Sequence, residues 1–254
     1  MGKTALITGA SSGLGAEFAR QLAQRGADLV LVARDRAALE ALATRLRSTH
    51  GVEVEVMAID LLKTRQREKV ERRVADADHP IEILVNNAGF GLSLEFEKND
   101  IEDEVRHLDL HVEVPMRLSH AALGAMLERG HGRIVNVASV AAYTPRSTYG
   151  ACKRWLVSFS QWANGTYAPR GVTVTAVCPG FTHTNFHERM GLTPGNEGVA
   201  GWMWLDADRV VEDALRDIAR GKAVSVPSKR YSLLVWLSRF VPAALAARVG
   251  ESGR

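Results

Sequence analysis

The sequence predicts one α/β domain, built as a doubly wound parallel sheet of seven strands with helices on both faces. Short, continuous apolar runs alternate along the chain with segments of helical period. Strands buried on both faces lose the in–out alternation of a half-exposed strand, so such runs indicate a parallel sheet covered by helices. No linker rich in Pro, Gly or Ser and no internal repeat divides the 254 residues, and a single domain is therefore the simplest account.

The predicted elements follow this alternation. Continuous apolar runs predict strands at residues 5–7, 29–33, 52–59, 81–85, 133–138, 172–177 and 223–226. Helical patterns follow at residues 14–25, 64–77, 100–129, 148–167 and 210–220, and after a cap at Asp35. Two segments differ: residues 179–206 lack periodicity, and residues 231–249 are apolar and helical in pattern but broken by Pro242.

Composition narrows the function classes. Hydrophobic residues make up 46% and charged residues 24%, which is ordinary for a globular protein. A net charge of +3 is too small to indicate a nucleic-acid binder. Cys152 and Cys178 lie in no CxxC pair and beside no metal-spaced histidines, which favours reduced thiols, a cytoplasmic protein and no metal site. Neither a signal peptide nor a membrane-spanning helix is expected, because the chain starts in a strand pattern and has no apolar run of about 18 residues.

A glycine-rich turn joins the first strand to the first helix. Residues 8–15 read T-G-A-S-S-G-L-G. Gly9 permits a tight turn, Gly13 lets the backbone approach a pyrophosphate, and Gly15 lets the helix pack against the strand. The helix N-terminus adds unpaired N–H groups and a partial positive charge. A glycine triplet also occurs in purely structural turns, but its place between strand and helix favours a nucleotide site.

This turn and further motifs resemble those of the short-chain dehydrogenase/reductase superfamily. The motifs after the turn, in the superfamily's order, are Asp60-Leu61, Asn86-Asn87-Ala88-Gly89, Ser139, Tyr149-x-x-x-Lys153 and Pro179-Gly180. The resemblance covers residues 2–228. Within the superfamily, the sequence resembles a bacterial group that includes ketoacyl reductases and hydroxysteroid dehydrogenases. It implies a Rossmann-type fold and hydride transfer between a nicotinamide cofactor and a carbonyl or secondary alcohol.

The resemblance also implies which residues bind the cofactor. Asp60 would bind the adenine amino group, Asn87 would lie along the cofactor, and Thr184 would contact it near the carboxamide or the pyrophosphate. The full expected set is Gly9, Ser11, Ser12, Gly13, Leu14, Gly15, Arg34, Asp60, Leu61, Asn87, Ala88, Gly89, Tyr149, Lys153, Pro179, Gly180, Thr182 and Thr184.

The end of the second strand favours NADP(H) over NAD(H). Enzymes that use NAD commonly place an acidic residue there to bond the ribose hydroxyls. This chain has Ala33-Arg34, and an arginine holds a 2′-phosphate in a forked contact, to which Ser11 can add a hydroxyl. Asp35 is assigned to the cap of the next helix. The alternative is an NAD-dependent alcohol dehydrogenase in which Arg34 is merely solvated.

Tyr149 and Lys153 have the spacing of an acid–base pair on one helix face. Reduction of a carbonyl requires a proton for its oxygen, and a free tyrosine has a pKa near ~10. A cation about 4 Å away, at an effective dielectric of ~20, stabilises a phenolate by up to ~4 kcal/mol, or about three pKa units. The i, i+4 spacing therefore predicts a lowered tyrosine pKa. By resemblance, Ser139 bonds the substrate oxygen and Lys153 also holds the nicotinamide ribose.

Two features depart from the superfamily's pattern. Ten residues lead from Ser139 to Tyr149, fewer than the superfamily's usual interval, so one wall of the pocket is expected to change shape. His111 stands where members commonly have an asparagine that lines a water-mediated proton relay. We hypothesise that His111 replaces it there as part of the catalytic set, because histidine bonds water and titrates near neutral pH. The alternative is a packed histidine with an altered relay.

The expected layout places an NADP(H)-binding catalytic unit at residues 1–228 and a C-terminal helical extension of it at residues 229–254. A lid at about residues 185–205 suggests an apolar substrate such as a steroid, fatty acyl or aromatic ketone, although ordinary packing explains its side chains equally well. Its apolar side chains are Phe186, Met190, Leu192, Trp202, Met203 and Trp204. By resemblance the chain forms a homodimer or homotetramer; membrane contact through the mixed apolar and basic tail is a minor alternative. The remaining alternative for the function is a non-catalytic NADP(H)-binding sensor or scaffold, because a fold alone does not guarantee catalytic activity.

Overall fold

The computed structural model describes residues 3–144, 146–184 and 200–238, and a parallel sheet of seven strands forms its centre. The strand order is β3-β2-β1-β4-β5-β6-β7, and each neighbouring pair runs parallel. The strands are β1 (Thr4–Thr8), β2 (Asp28–Ala33), β3 (Val54–Ala58), β4 (Ile83–Asn86), β5 (Gly132–Val137), β6 (Val172–Val177) and β7 (Val224–Ser225). The chain order reverses between β1 and β4, and ligands of open α/β sheets bind beyond the carboxyl ends of the strands at such a point.

Helices cover the sheet and confirm the predicted fold class, a single Rossmann-type doubly wound domain. The α-helices described are α1 (Gly13–Gln24), α2 (Arg36–His50), α3 (Thr64–Ala75), α4 (Ile101–Leu108), α5 (Val114–Glu128), α6 (Thr148–Tyr167), α7 (Ala207–Ala219) and α8 (Lys229–Ser238). Short 3₁₀ turns lie at Phe96–Lys98, Val140–Tyr143, Ala168–Arg170 and Gly201–Met203.

Successive residues of a strand enter two separate cores. On β1, Ala5 and Ile7 belong to a cluster with α1, α2 and α7, whereas Leu6 belongs to a cluster with α3, α5 and α6. The period of two in a strand sends neighbouring side chains to opposite faces. Because both faces are covered, the strands read as continuous apolar runs, and the open edge at their carboxyl ends is left for a ligand.

The long helix predicted at residues 100–129 is observed without a gap from Ile101 to Glu128, but it is not α-helical throughout. A π-helical turn at Asp109–Glu113, the π-turn, separates α4 from α5, and the Val114 N–H donates to the Asp109 carbonyl. Pro115, in the first turn of α5, has no N–H for the carbonyl of His111 four residues earlier. The α-helical hydrogen-bond ladder is interrupted there, and π-turns inside helices are frequent at functional sites.

Some element ends also differ from the prediction. β3 begins at Val54 rather than residue 52, and β4 begins at Ile83 rather than Ile81. Ile81 is nevertheless buried, with 1% of its surface exposed. An apolar pattern reports burial rather than ladder hydrogen bonds, so it overruns the start of a strand. α7 begins at Ala207, three residues before the predicted start at residue 210.

The parts of residues 179–206 that are described contain regular structure, contrary to the absence of periodicity. Thr182 forms an isolated parallel bridge with Leu205. α8 packs on this segment, since the ring of Tyr231 lies against Gly180. Within the described ranges, no helix has both the length and the apolar character needed to cross a membrane.

Candidate active site

The glycine turn after β1 is packed so closely that side chains have no room. A Cβ on Gly15 would lie 2.3 Å from the Gly9 carbonyl oxygen, and a Cβ on Gly9, where φ is +67°, would lie 2.9 Å from the Ala88 Cα. Gly13 has a φ of +56° and faces Thr184. α1 begins at Gly13, so its first N–H groups have no helical partners. The turn therefore presents the unpaired N–H groups at the start of α1, which suits a phosphate.

Thr8 and Asn87 lock this turn to the loop after β4. The Thr8 hydroxyl accepts the backbone N–H groups of Asn87 at 2.9 Å and Ala88 at 3.0 Å, and donates to the Val85 carbonyl at 3.3 Å. The Asn87 amide donates to the carbonyls of Thr8 at 2.9 Å and Gly9 at 3.3 Å. Sequence reasoning missed Thr8 as a site residue; a hydroxyl directly before the first glycine was the available signal.

The two arginines after β2 differ in their surroundings. Arg34 is exposed and forms no ion pair with any residue that the structure describes. Arg36 lies 3.7 Å from Glu40 in an exposed pair. Asp35 caps α2 by accepting the Ala38 N–H at 3.0 Å, as the sequence predicted. Of these two guanidinium groups, that of Arg34 is therefore the one that can bind a ligand without breaking an ion pair with a described residue.

Asp60 and Leu61 follow β3 at the same edge of the sheet. The Asp60 carboxylate accepts the Leu62 N–H at 3.1 Å, and the Asp60 N–H donates to the Gln66 side chain at 2.8 Å. The Leu61 side chain is buried in the core. A cofactor at this loop would therefore meet the carboxylate of Asp60 and only the backbone of Leu61.

The loop after β6 reaches back to the glycine turn. Thr184 lies against Gly13, and the Thr182 hydroxyl donates to the Gly180 carbonyl at 3.0 Å. A Cβ on Gly180 would lie 2.1 Å from the Tyr231 ring, so α8 fixes this loop. The expected cofactor residues of the glycine turn, the loop after β4 and this loop thus share one edge: Gly9, Ser11, Ser12, Gly13, Leu14, Gly15, Asn87, Ala88, Gly89, Pro179, Gly180, Thr182 and Thr184.

Ser139, Tyr149 and Lys153 converge at the carboxyl end of β5. The side chains of Ser139 and Tyr149 are hydrogen-bonded, and the Ser139 hydroxyl also accepts the Ala141 N–H at 3.1 Å. The Lys153 ammonium donates to the Val137 carbonyl at 2.7 Å and lies 5.4 Å from the centre of the Tyr149 ring. The structure brings together the three side chains that the resemblance assigns to the chemistry.

Burial governs the protonation of this trio. It raises the pKa of Tyr149 to about 12, although the hydrogen bond with Ser139 acts in the opposite direction. Burial also lowers the pKa of Lys153 to about 8. The predicted net lowering of the tyrosine pKa is wrong for this structure, because the loss of hydration on burial outweighs the hydrogen bond with Ser139. Tyr149 is a neutral hydroxyl here, the form that can donate a proton.

The short connection from Ser139 to Tyr149 contains a 3₁₀ turn, Val140–Tyr143. The Tyr143 hydroxyl lies 3.9 Å from the Cys178 sulfur, at the end of β6. The Ser147 hydroxyl then accepts the Gly150 N–H at 3.1 Å and caps α6. The connection between Ser139 and Tyr149, which forms one wall of the site, is therefore held to the end of β6 by Tyr143 and to α6 by Ser147.

His111 lies in the π-turn, between Tyr149 and the loop after β4. Its Nε2 is 2.8 Å from the Phe90 carbonyl oxygen, and a Cβ on Gly89 would lie 2.4 Å from its ring. The ring packs edge-on against Tyr149, with 5.5 Å between centres. Burial lowers the pKa of His111 well below its ordinary value, so the imidazole is neutral and is not a proton donor of the imidazolium type.

A second buried histidine, His107, was missed by sequence reasoning. Only 1% of its surface is exposed, and its ring centre lies 4.3 Å from that of His111. Burial lowers the pKa of His107 to about 4. The available signal was its spacing, four residues before His111 on a predicted helix, which places two imidazoles on one face.

The described end of the expected lid is aromatic. Trp204 stacks on His183 with 4.9 Å between ring centres, and Trp202 is 60% exposed. The Met203 carbonyl accepts the Tyr231 hydroxyl at 2.8 Å. Three expected lid residues lie outside the described residues: Phe186, Met190 and Leu192. No group of three or more His, Cys, Asp or Glu side chains within the described ranges is placed to hold a metal ion.

Comparisons with known proteins find relatives that match most of the chain. The family model for short chain dehydrogenases matches residues 3–194. A putative ketoacyl reductase of Streptomyces coelicolor is 35% identical over 190 residues, which is 72% of this chain and 71% of that relative. The solved structure of a short-chain dehydrogenase from Sphingobium yanoikuyae in complex with NADPH is 37% identical, with a TM-score of 0.85 over 93% of this chain and 94% of its own. A bulky-bulky ketone specific alcohol dehydrogenase from Comamonas testosteroni is 34% identical, with a TM-score of 0.80 over 93% and 92%.

Proposed function

The chain belongs to the short-chain dehydrogenase/reductase family, and we propose that it is an NADP(H)-dependent oxidoreductase acting on an apolar ketone or the corresponding secondary alcohol. The observation that carries this proposal is the convergence of Ser139, Tyr149 and Lys153 at the sheet edge that also holds the glycine turn. A dinucleotide site beside a proton donor is what reversible hydride transfer requires.

The residues at this edge fit a dinucleotide phosphate. Glycine at residues 9 and 15 lets the turn pack against the start of α1 and the loop after β4, and the start of α1 supplies N–H groups without helical partners. Arg34 is exposed at the end of β2, without an ion pair among the described residues, where it can meet a 2′-phosphate. The NADPH in the Sphingobium yanoikuyae relative supports the same choice. When bound, the nicotinamide supplies or accepts the hydride.

The residues of the chain supply the proton and hold the reacting oxygen. Tyr149, neutral at working pH, donates its phenolic proton to the carbonyl oxygen of the substrate. Ser139, already bonded to Tyr149, donates to the same oxygen and orients it. Lys153, mostly protonated at neutral pH and held by the Val137 carbonyl, stabilises the phenolate that remains and holds the nicotinamide ribose.

An apolar substrate is supported by two observations. The described end of the lid presents Trp202 and Trp204, which suit an apolar wall. The relatives include a ketoacyl reductase and an enzyme described as bulky-bulky ketone specific. We therefore expect ketones with two large substituents to be better substrates than small aldehydes.

The cofactor assignment is tested by a matched pair of variants, Arg34→Gln and Arg36→Gln. Both remove one exposed positive charge from the same turn, but only Arg34 is proposed to hold the 2′-phosphate. We expect Arg34→Gln to weaken NADPH binding by about 10- to 100-fold, from the loss of charge-assisted hydrogen bonds, with NADH binding unchanged. Arg36→Gln should change neither. Titrations of tryptophan and nicotinamide fluorescence measure the affinity of the wild type and both variants for each cofactor, and equal NADPH and NADH affinity in the wild type would refute the assignment.

The chemistry is tested with Tyr149→Phe against a panel of bulky and small ketones. Loss of a positioned proton donor should lower kcat by about 10²- to 10⁴-fold, while NADPH binding stays at the wild-type value. A Tyr149→Phe enzyme with undiminished kcat would remove Tyr149 from the mechanism. A wild-type protein that binds NADPH but reduces none of the ketones would favour the sensor or scaffold alternative.

We also propose that the chain assembles as a homodimer or homotetramer through α4, α5 and α6. Large apolar side chains are exposed on these helices, including Ile101 at 62%, Leu108 at 51% and Trp162 at 59%. Exposed apolar faces of this kind are typical of interfaces. Light scattering after size-exclusion chromatography measures the mass directly, and a monomer across micromolar concentrations would contradict the proposal.

A further inference from the structure

Four rings form a closed cluster behind the proposed proton donor. His107 lies at its centre, with ring-centre distances of 4.3 Å to His111, 5.4 Å to Phe90 and 5.9 Å to Tyr149. On its other side, the Nδ1 of His107 lies 3.9 Å from the sulfur of Cys152 on α6. The cluster thus connects the loop after β4, the turn between α4 and α5, and the helix that carries Tyr149 and Lys153.

His111 has two contacts with Phe90, and they require different tautomers. Its Nε2 lies 2.8 Å from the Phe90 carbonyl oxygen, which requires a protonated Nε2, and 3.2 Å from the nitrogen of the Phe90 backbone N–H, which donates to an unprotonated Nε2. A lone pair on Nε2 would face the carbonyl lone pairs at the shorter distance, so we assign the proton to Nε2, as donor to that carbonyl. The Nδ1 is then an acceptor, and it is buried without a hydrogen-bond partner among the described residues.

His107 presents the complementary atom. Burial raises the pKa of Cys152, so its thiol is protonated and can donate to the Nδ1 of His107. The proton of the neutral ring is then on Nε2, which is also buried without a partner among the described residues. One orphaned donor and one orphaned acceptor therefore lie on two imidazoles in contact. Pairing them, directly or through one bridging water, would satisfy both atoms.

The charged and titratable groups around the pair favour neutral rings. Glu104, one turn earlier on α4, raises the pKa of His107, whereas Lys153 on α6 lowers it and burial lowers it further. Lys153 and His107 both lower the pKa of His111. Cys152 faces His107 as an uncharged thiol. Neither ring therefore carries charge beside Tyr149 near neutral pH.

We propose that His107 is a positioning residue of this active site. Its Nε2–H pairs with the Nδ1 of His111, and the paired imidazoles hold Phe90, in the loop after β4, and the ring of Tyr149 in fixed positions relative to each other. The effect on turnover rests on the proposed reductase function, whereas the tautomers and the hydrogen bond do not. Buried polar rings are expensive to leave unpaired, so a packing role alone would be served better by phenylalanine.

Two substitutions at residue 107 separate positioning from packing, because the two roles predict opposite orders. His107→Phe keeps the ring and loses the donor, whereas His107→Gln loses the ring and keeps an N–H at about the position of Nε2. We expect His107→Phe to lower kcat by about 10- to 100-fold, as a displacement of reacting groups does, with NADPH affinity unchanged. His107→Gln should recover most of the rate. A His107→Phe enzyme that equals the wild type, or exceeds His107→Gln, would overturn the proposal.

A second measurement needs neither turnover nor a variant at residue 107. Two-bond ¹H–¹⁵N correlation spectra of the ¹⁵N-histidine-labelled protein report the tautomer and charge of each ring, with His111→Asn used to assign signals. We expect His107 and His111 both to be neutral Nε2–H tautomers that do not titrate between pH 6 and 9, following their buried state. A Nδ1–H tautomer at either ring would overturn the proposal even if the protein is a reductase. The expected tautomers in a protein without turnover would instead count against the proposed function alone.

Discussion

Gly15→Ala is predicted to destabilise the protein and weaken its cofactor binding, although the same change in a free helix position is stabilising. The added carbon would lie 2.3 Å from the Gly9 carbonyl oxygen, 2.5 Å from the Asn87 amide nitrogen and 2.8 Å from the Gly9 carbonyl carbon. Ordinary carbon contacts are ~3.5 Å, so α1 or the turn must move by about 1 Å. Because backbone atoms form the obstacle, the cost should reach the upper end of the ~1–3 kcal/mol typical of overpacking.

The matched control is Gly124→Ala. Gly124 lies within α5, and no atom of the residues that the structure describes lies within 4 Å of the Cβ it would gain. Alanine there should stabilise the helix by about 0.5–1 kcal/mol. With ~2–4 °C per kcal/mol for a chain of this size, the melting temperature should fall by roughly 6–12 °C in Gly15→Ala and rise by roughly 1–4 °C in Gly124→Ala.

Cofactor binding gives the second readout of Gly15→Ala. A shift of about 1 Å in the backbone donors should raise the Kd for NADPH by at least about tenfold, whereas Gly124→Ala should leave it unchanged. Fluorescence titration and differential scanning calorimetry on the same samples measure both quantities. Wild-type stability and NADPH affinity in Gly15→Ala would refute the close contact of helix and turn on which the proposed phosphate site depends.

Two other substitutions test the electrostatics of the site and of the π-turn. Lys153 is buried with a pKa of about 8 against an ordinary 10.5, so the unfolded state binds more protons between these values and stability should rise with pH from about 8 to 10. Lys153→Met should remove up to ~1.4 kcal/mol per pH unit from that slope in urea titrations, and an unchanged slope would contradict the burial argument. Arg67 of α3 is 5% exposed and lies 3.3 Å from Glu113 at the end of the π-turn. Arg67→Met should cost about 1.5–3 kcal/mol of unfolding free energy, with Arg67→Lys intermediate, and an Arg67→Met protein of wild-type stability would show that this pair does not hold the turn.

Burial patterns explain why the sheet could be predicted from the sequence. The strand 172–177 and the helix 148–167 coincide with the observed β6 and α6 because their apolar periods are set by the cores that they enter. The ends of β3 and β4 could not be predicted in the same way. Ile81 is buried before its strand begins to pair, and the apolar pattern alone does not distinguish the two states.

The candidate site likewise has features that could be predicted from the sequence and one that could not. The glycine turn and the i, i+4 pair Tyr149 and Lys153 could be predicted because each depends on backbone geometry within one short segment. The direction of the Tyr149 pKa could not, since it depends on how much water the folded chain removes, and burial outweighed the hydrogen bond with Ser139.

The π-turn shows where a single-residue signal fails without its spatial context. Pro115 within a helical pattern marks an interruption near residue 111, but proline alone does not distinguish a kink, a break and a π-turn. His107 and His111 would share one face of a regular α-helix; with the π-turn between α4 and α5, both rings are still directed at the loop after β4. Gly89 completes this arrangement, because any larger residue would collide with His111 at 2.4 Å. Gly89 and His111 are therefore packed against each other, and a larger side chain at residue 89 should displace the His111 ring.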